Sequence, residues 1–157
     1  MATAHIDESI DIRAPIDRVF TVITDPRRIP EWNPGIVEIK NFTGSPIQVG
    51  TAWRQTLVIA GRATELDCRI VQLDPPRKGV LEVSGKYQGQ IHTWCQDLGG
   101  TTRVTQSLEF ALPGGLLGAV ARKAAEPAIR REVRDTMQRQ KAALEAEQAA
   151  TGGPRTA

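Results

Sequence analysis

The sequence predicts an α+β fold in which a seven-stranded, curved antiparallel sheet wraps around a long C-terminal helix, with two short helices after strand 1. Three observations predict it. One alternating segment opens the chain, and six more follow between residues 36 and 112. The separators between those six are short and carry Gly or Pro, as antiparallel hairpins require. An Ala-rich run of good helix formers then extends from Leu116 to about residue 150. Six consecutive strands cannot bury one face without a cover, and that final helix supplies it.

The elements follow in order. From His5 to Ile12, Ile6, Ile10 and Ile12 share a face that Glu8 interrupts, which reads as a strand. Pro15 suits the first turn of a helix, where its missing N–H would be unpaired anyway. Ile16, Val19, Phe20 and Ile23 then fall at helical spacing on one face. Asp25-Pro26 repeats the start signal, as N-cap and first residue of a second brief helix ending near Trp32. Asn33-Pro34-Gly35 breaks the chain before strands at about 36–43, 51–60, 63–73, 79–85, 88–97 and 102–112. In the last helix Ile129, Val133, Met137 and Leu144 form an apolar stripe, and Pro127 is expected to kink or divide it near Lys123–Glu126. Residues 1–148 read as one domain, and 149–157 as a disordered tail.

Composition narrows the function classes. Twenty Lys and Arg against eighteen Asp and Glu leave a net charge of +2, which gives no electrostatic reason to expect nucleic acid. The opening MATAHIDESIDI lacks the basic and then apolar build of a secretory signal, and no stretch reaches the ~20 apolar residues of a membrane span. A cytoplasmic location without stable membrane insertion is therefore expected. Cys68 and Cys95 lie far apart without ligand spacing and read as reduced core thiols.

Strand periodicity assigns the face turned toward the helix. It carries Trp53, Gln55, Leu57 and Ile59 on 51–60, and Leu66, Cys68 and Ile70 on 63–73. It carries Leu81 and Val83 on 79–85, and Val104, Gln106, Leu108 and Phe110 on 102–112. Strand 88–97 is ambiguous: Gln88, Gln90, His92, Trp94 and Gln96 oppose Gly89, Ile91, Thr93, Cys95 and Asp97. The apolar count slightly favours Ile91 and Cys95 as inward.

The element order and four phrases resemble the START-like, helix-grip superfamily, also called SRPBCC, and its polyketide cyclase/dehydrase branch. The phrases are IDIRAPIDRVFTVITDPRRIPEWNPGI at 10–36, VGTAWR at 49–54, LDPPRKGVLEV at 73–83 and GGTTRVT at 99–105. The resemblance covers about residues 1–146 and is specific for fold, whereas the superfamily spans lipid carriers, hormone receptors, aromatases, cyclases and co-chaperones. It implies a cavity between sheet and long helix, entered beside loops 60–62, 86–88 and 113–118, with Pro113-Gly114-Gly115 and Leu116-Leu117-Gly118 as a glycine-hinged gate and Leu117 and Val120 among the expected ligand contacts. It also places an inward residue six before the Gly of GGT on strand 88–97, which selects Trp94, and with it His92 and Gln90.

The expected pocket thus combines apolar walls with Gln55, Gln90, His92 and Gln106, the makeup of a small-molecule site. The first expectation is binding or carriage of a hydrophobic, lipid- or polyketide-like molecule. The alternative is a polyketide cyclase/dehydrase-type enzyme with His92 as its catalytic acid/base, oriented with help from Gln90, Gln106 or Tyr87. No metal set, phosphate loop or dinucleotide fingerprint is present, so neither metal nor cofactor is expected. The expected partner is the apolar ligand, and self-association into a homodimer stays open.

Overall fold

The computed structural model describes residues 3–44, 46–59, 61–111 and 116–151, without the side chains of Thr3 and residues 116–122. Strand β1 (Thr3–Ile12) leads into helix α1 (Ile16–Ile23). A 3-10 turn (Pro26–Arg28) then runs into helix α2 (Ile29–Trp32). Six strands follow: β2 (Ile36–Thr43), β3 (Ala52–Ile59), β4 (Arg62–Asp74), β5 (Lys78–Gly85), β6 (Gln88–Asp97) and β7 (Thr102–Ala111). Helix α3 (Leu116–Thr151) closes the described chain. The strands fall within one or two residues of the positions read from the sequence.

One antiparallel sheet contains all seven strands in the order β1-β7-β6-β5-β4-β3-β2. The first and last strands pair in register, with Ile6 opposite Leu108 and Ile12 opposite Thr102. This makes β1 and β2 the two edges. Helix α3 lies along the concave face and packs on β1 far more than on any other strand.

A dense core lies where α1, β1, β7 and the second half of α3 converge. Ile6, Ile12, Val19, Phe20, Met137 and Leu144 are all buried there. Helix α1 has eight residues, too few to be stable alone, so burial of Val19, Phe20 and Val22 holds it in place. The buried Thr102 hydroxyl donates to the Ala14 carbonyl at 2.8 Å, tying β7 to the entrance of α1. The Asp25 side chain accepts from the Arg27 N–H at 3.0 Å, which is the expected cap of the second helical segment.

Helix α3 bears out the run read from Leu116 to about residue 150, and differs in two details from the expected division at Pro127 and the expected tail from 149. It is one continuous helix with Pro127 inside it, so of the kink or division expected there the division does not occur. Proline deprives the Lys123 carbonyl of its N–H partner, but Lys123 and Pro127 both lie on an exposed side of the helix, open to solvent. It also reaches Thr151, past the boundary at 148, since Ala149 and Ala150 favour helix and the Thr151 hydroxyl donates to the Glu147 carbonyl at 3.0 Å. Residues 152–157 lie outside the described residues.

Cys68 and Cys95 are free and buried, and burial pushes each thiol up to about 12, so both stay protonated at neutral pH. Among the described residues no helix is long and apolar enough to cross a membrane.

Candidate ligand-binding cavity

The position of α3 decides where the hollow remains. One side of the helix is pinned to the edge strand and the short helices. Arg130 and Arg134 reach Glu8 on β1 at 2.9 and 3.1 Å, and Lys141 donates to the Asp11 carbonyl at 2.6 Å. Glu145 accepts from the Arg13 N–H at 2.9 Å, and Glu147 pairs with Arg18 and Arg28 at 2.7 and 2.6 Å. Burial pushes the Glu8 carboxyl upward, but hydrogen bonds from Arg134 and Arg130 outweigh it and hold its pKa below the ordinary value. Glu8 therefore serves as an anchor for the helix.

Held against β1, α3 leaves the concave face of β3, β4 and β5 uncovered. A cavity of about 780 Å³ results, well within the range of small-molecule sites. Its sheet wall includes Trp53, Gln55 and Leu57 of β3, Ile70 and Leu73 of β4, and Leu81 of β5. Ile91 and Thr93 of β6 and Gln106 and Leu108 of β7 continue it. Ile29 and Trp32 of α2 close one side, and Ile129, Val133, Thr136 and Gln140 of α3 form the roof. Ile59, 51% exposed, and the exposed Ala128 and Glu132 mark where the cavity meets solvent. Ile59 is the last residue of β3. A smaller hollow of about 330 Å³ lies over Arg54, Asp67 and Glu82 on the convex face, where Arg54 is already paired with Asp67 at 2.8 Å.

Few polar groups enter the large cavity, and each is neutral except Glu132. The Trp53 Nε1–H donates to Gln55 Oε1 at 3.1 Å, a buried contact that leaves the Gln55 amide N–H groups to act as donors. Thr93 and Gln106 stand directly opposite each other across β6 and β7. Gln140, 3% exposed, is the one described residue with a fully buried side-chain oxygen, Oε1, that accepts no hydrogen bond. An orphaned acceptor of this kind costs about 1–3 kcal/mol.

The structure sorts the sequence-predicted residues into four groups. Trp53, Gln55, Leu57, Leu81, Gln106 and Leu108 line the cavity. Leu66, Cys68, Val83 and Phe110 share the concave face but are absent from its described lining; Cys68 and Val83 pack with Trp53, and Phe110 against the main core. Leu117 and Val120 belong to α3, but their side chains lie outside the described residues, as do Pro113–Gly115 of the expected gate.

Gln90, His92 and Trp94 form the fourth group and correct the expectation. They lie on the convex face, because Ile91 and Thr93 occupy the cavity side of β6. His92 bonds Gln90 at 3.2 Å and stacks on Trp94 at 5.5 Å, while Lys78 also covers the Trp94 ring, at 5.3 Å. The physical reason is space. At this end of β6 the concave face is roofed by α1, with Phe20 Cζ 3.9 Å from where a Gly79 side chain would begin. Gly79 is opposite Thr93, and only small residues fit beneath that ring. At the opposite end of β6 the neighbouring strand limits residue size instead: a Cβ on Gly89 would stand 2.2 Å from the Glu109 carbonyl oxygen. His92 therefore has no access to a ligand in the cavity, and a cyclase mechanism resting on it has no basis.

Thr136 and Gln140 escaped the sequence reading, although they follow Val133 at i+3 and i+7 and so border the recognised stripe. Extending that stripe by one polar row would have found them.

Comparison with known proteins agrees with this architecture. The family described as "Polyketide cyclase / dehydrase and lipid transport" matches residues 3–145. The chain belongs to this family. It is similar in structure to the Zhui aromatase/cyclase from Streptomyces sp. R1128, with 17% identity, a TM-score of 0.82, and coverage of 98% of this chain and 100% of that one. A Thermus thermophilus protein, TTHA0849, is 16% identical with a TM-score of 0.78, covering 92% of this family member and 99% of that chain. A START superfamily protein from Mycobacterium smegmatis is 13% identical with a TM-score of 0.66, covering 91% and 95%. These likenesses show that the chain shares the helix-grip fold of those structures. Comparison with curated protein sequences finds no match.

Proposed function

We propose that this family member binds and carries a hydrophobic small molecule, lipid- or polyketide-like in character, inside the cavity between its sheet and α3. The observation that carries this reading is a void of about 780 Å³, walled by Trp53, Leu57, Ile70, Leu81, Leu108 and Ile129, beside a densely packed core. Apolar walls supply affinity by removing hydrocarbon from water at roughly 25 cal/mol per Å², and the sparse amides and hydroxyls orient the guest. The family description, which includes lipid transport, supports the same reading.

Carriage is favoured over turnover because Glu132 is the one ionisable side chain in the described lining. Acid/base enolisation needs a proton donor or acceptor within hydrogen-bond reach of the reacting carbon, and the exposed Glu132 stands at the mouth. Titration with diphenylhexatriene, an uncharged hydrocarbon that fluoresces in apolar surroundings, tests the proposal. A saturable rise with one site per chain, and protection of the protein against thermal unfolding, is expected. Absence of saturable binding, together with no copurified molecule in native mass spectrometry, would overturn it.

A further inference from the structure

Resting on that reading, we infer that Gln55 is a specificity-determining residue of the cavity. Its amide N–H group donates to a carbonyl oxygen at the leading end of the guest, and Trp53 is its positioning residue. Gln55 is 8% exposed, and the surface it keeps lies in the cavity it lines. The Trp53 Nε1–H donates to Gln55 Oε1 at 3.1 Å, so the amide cannot turn over without setting donor against donor. That contact fixes Nε2 as the free end of the side chain. Gln140 Oε1 is the one described partnerless side-chain atom sealed from the surface. Gln55 Nε2 donates to no described residue either, yet it keeps its surface and so opens into the void.

The surroundings decide what this donor takes. Opposite Gln55 stand Ile39 on β2 and Leu66 on β4, and Leu57 follows it on the same face. None of these side chains offers an acceptor. A carbonyl oxygen, which only accepts, is answered fully there, whereas a hydroxyl brings a hydrogen that finds no partner. Thr93 and Gln106, the other amide and hydroxyl side chains of the sheet wall, can each both donate and accept. Neither is fixed by a side-chain bond to a described residue, so they take an oxygen in either sense. Depth adds a second constraint. Gln55 precedes Ile59, exposed at the mouth, by four residues, a rise of about 13 Å along β3. Beyond it Trp53, packed with Cys68 and Ile70, is the last residue of β3 in the described lining. A chain that enters past Ile59 meets Gln55 with its leading atoms. An oxygen at mid-chain stops short, beside Leu57 and Ile59.

Displacement of diphenylhexatriene by 2-undecanone and 6-undecanone tests this on the intact protein. The two ketones share one formula and differ only in where the oxygen sits. 2-Undecanone should compete better by about fivefold or more, and in Gln55→Leu that ratio should fall to near one. It should fall likewise in Trp53→Phe, which keeps a ring in place but removes the N–H that fixes the amide. 2-Undecanone should also outcompete 2-undecanol. Infrared spectra of 2-undecanone, isotope-labelled at its carbonyl carbon, test the contact in the parent protein. The bound carbonyl stretch should lie below its value in hydrocarbon, as hydrogen bonding requires, and return toward that value in Gln55→Leu. Equal competition by the two ketones, or a bound stretch at the hydrocarbon value in the parent, would overturn the role of Gln55. An alcohol that competes as well as the ketone would overturn the selection of an acceptor-only oxygen. A preference undiminished in Trp53→Phe would overturn the positioning by Trp53. Failure of diphenylhexatriene to bind at all would instead strike the carriage reading beneath them.

Discussion

The two halves of the concave face differ in what covers them. Under the β1 edge, α1 and the last turns of α3 pack closely, and Ile6, Ile12, Met137 and Leu144 are inaccessible to water. Over β3, β4 and β5 the same helix stands clear, and Trp53, Leu57 and Leu81 face the open cavity. The strands on both sides alternate in the same way. The difference lies in the helix, whose charged flank grips β1 through Glu8 and holds it off centre. In this fold, emptiness is set by where a cover is anchored as much as by how large its side chains are.

Truncating one side chain in each half should separate them most clearly. Met137→Ala removes a residue 1% exposed in a closely packed region and should cost about 2–5 kcal/mol in urea unfolding. Leu57→Ala removes atoms that already border a void, so fewer contacts vanish and the cost should be about 1 kcal/mol or less. Equal costs would mean that both halves are packed alike.

The anchor itself comes next. Removing the Glu8 carboxylate leaves Arg130 and Arg134 unpaired, but both are partly exposed, so Glu8→Gln should cost only about 1–2 kcal/mol at neutral pH. Because the folded pKa of Glu8 lies below its unfolded value of about 4.3, the pairing stabilises the fold above that value. The contribution is lost as pH falls through the folded value, so the two proteins should converge in stability once the pH lies below it. A difference that persists into acid would show that Glu8 acts by packing alone.

Gln140→Leu should act more weakly and with opposite sign. Replacing an unsatisfied buried amide by a hydrocarbon of similar size should leave the ligand-free protein unchanged or raise its stability by about 1 kcal/mol. A loss above about 1 kcal/mol, read by thermal unfolding, would mean that Gln140 is already satisfied within the protein.

Much of this architecture is legible in the sequence, and the exceptions have physical causes. Strands β3, β4, β5 and β7 alternate cleanly, since one face meets hydrocarbon and the other meets water, and their concave faces follow from that alternation. The Asp25-Pro26 start and the glycine pair at 99–100, both with φ of +86°, punctuate the chain without ambiguity. Strand β6 is not legible because α1 roofs the concave side at Thr93 and Cys95, the β7 backbone leaves no room for a Cβ at Gly89, and the convex side carries the bulky Trp94. Periodicity reports hydrophobicity, and on β6 volume is the deciding quantity. Likewise Pro127 has a local rule against it, which a long helix with a solvated flank overrides.

The convex side of β6 offers the most delicate measurement. His92→Ala and Trp94→Phe alter a stack in which Trp94 is 38% exposed and covered by His92 and Lys78. Each should cost about 0.5–1 kcal/mol of stability, the worth of a partly exposed aromatic or cation–π contact. Affinity for diphenylhexatriene should stay within about twofold of the parent, since the pleat directs adjacent side chains to opposite faces and Ile91 and Thr93 already hold the inner one. The corresponding change on that inner face, Ile91→Ala, should weaken binding by removing wall hydrocarbon. If His92→Ala weakened binding more than Ile91→Ala, the register of β6 would have to shift by one residue, and the polar groups assigned to the cavity would change with it.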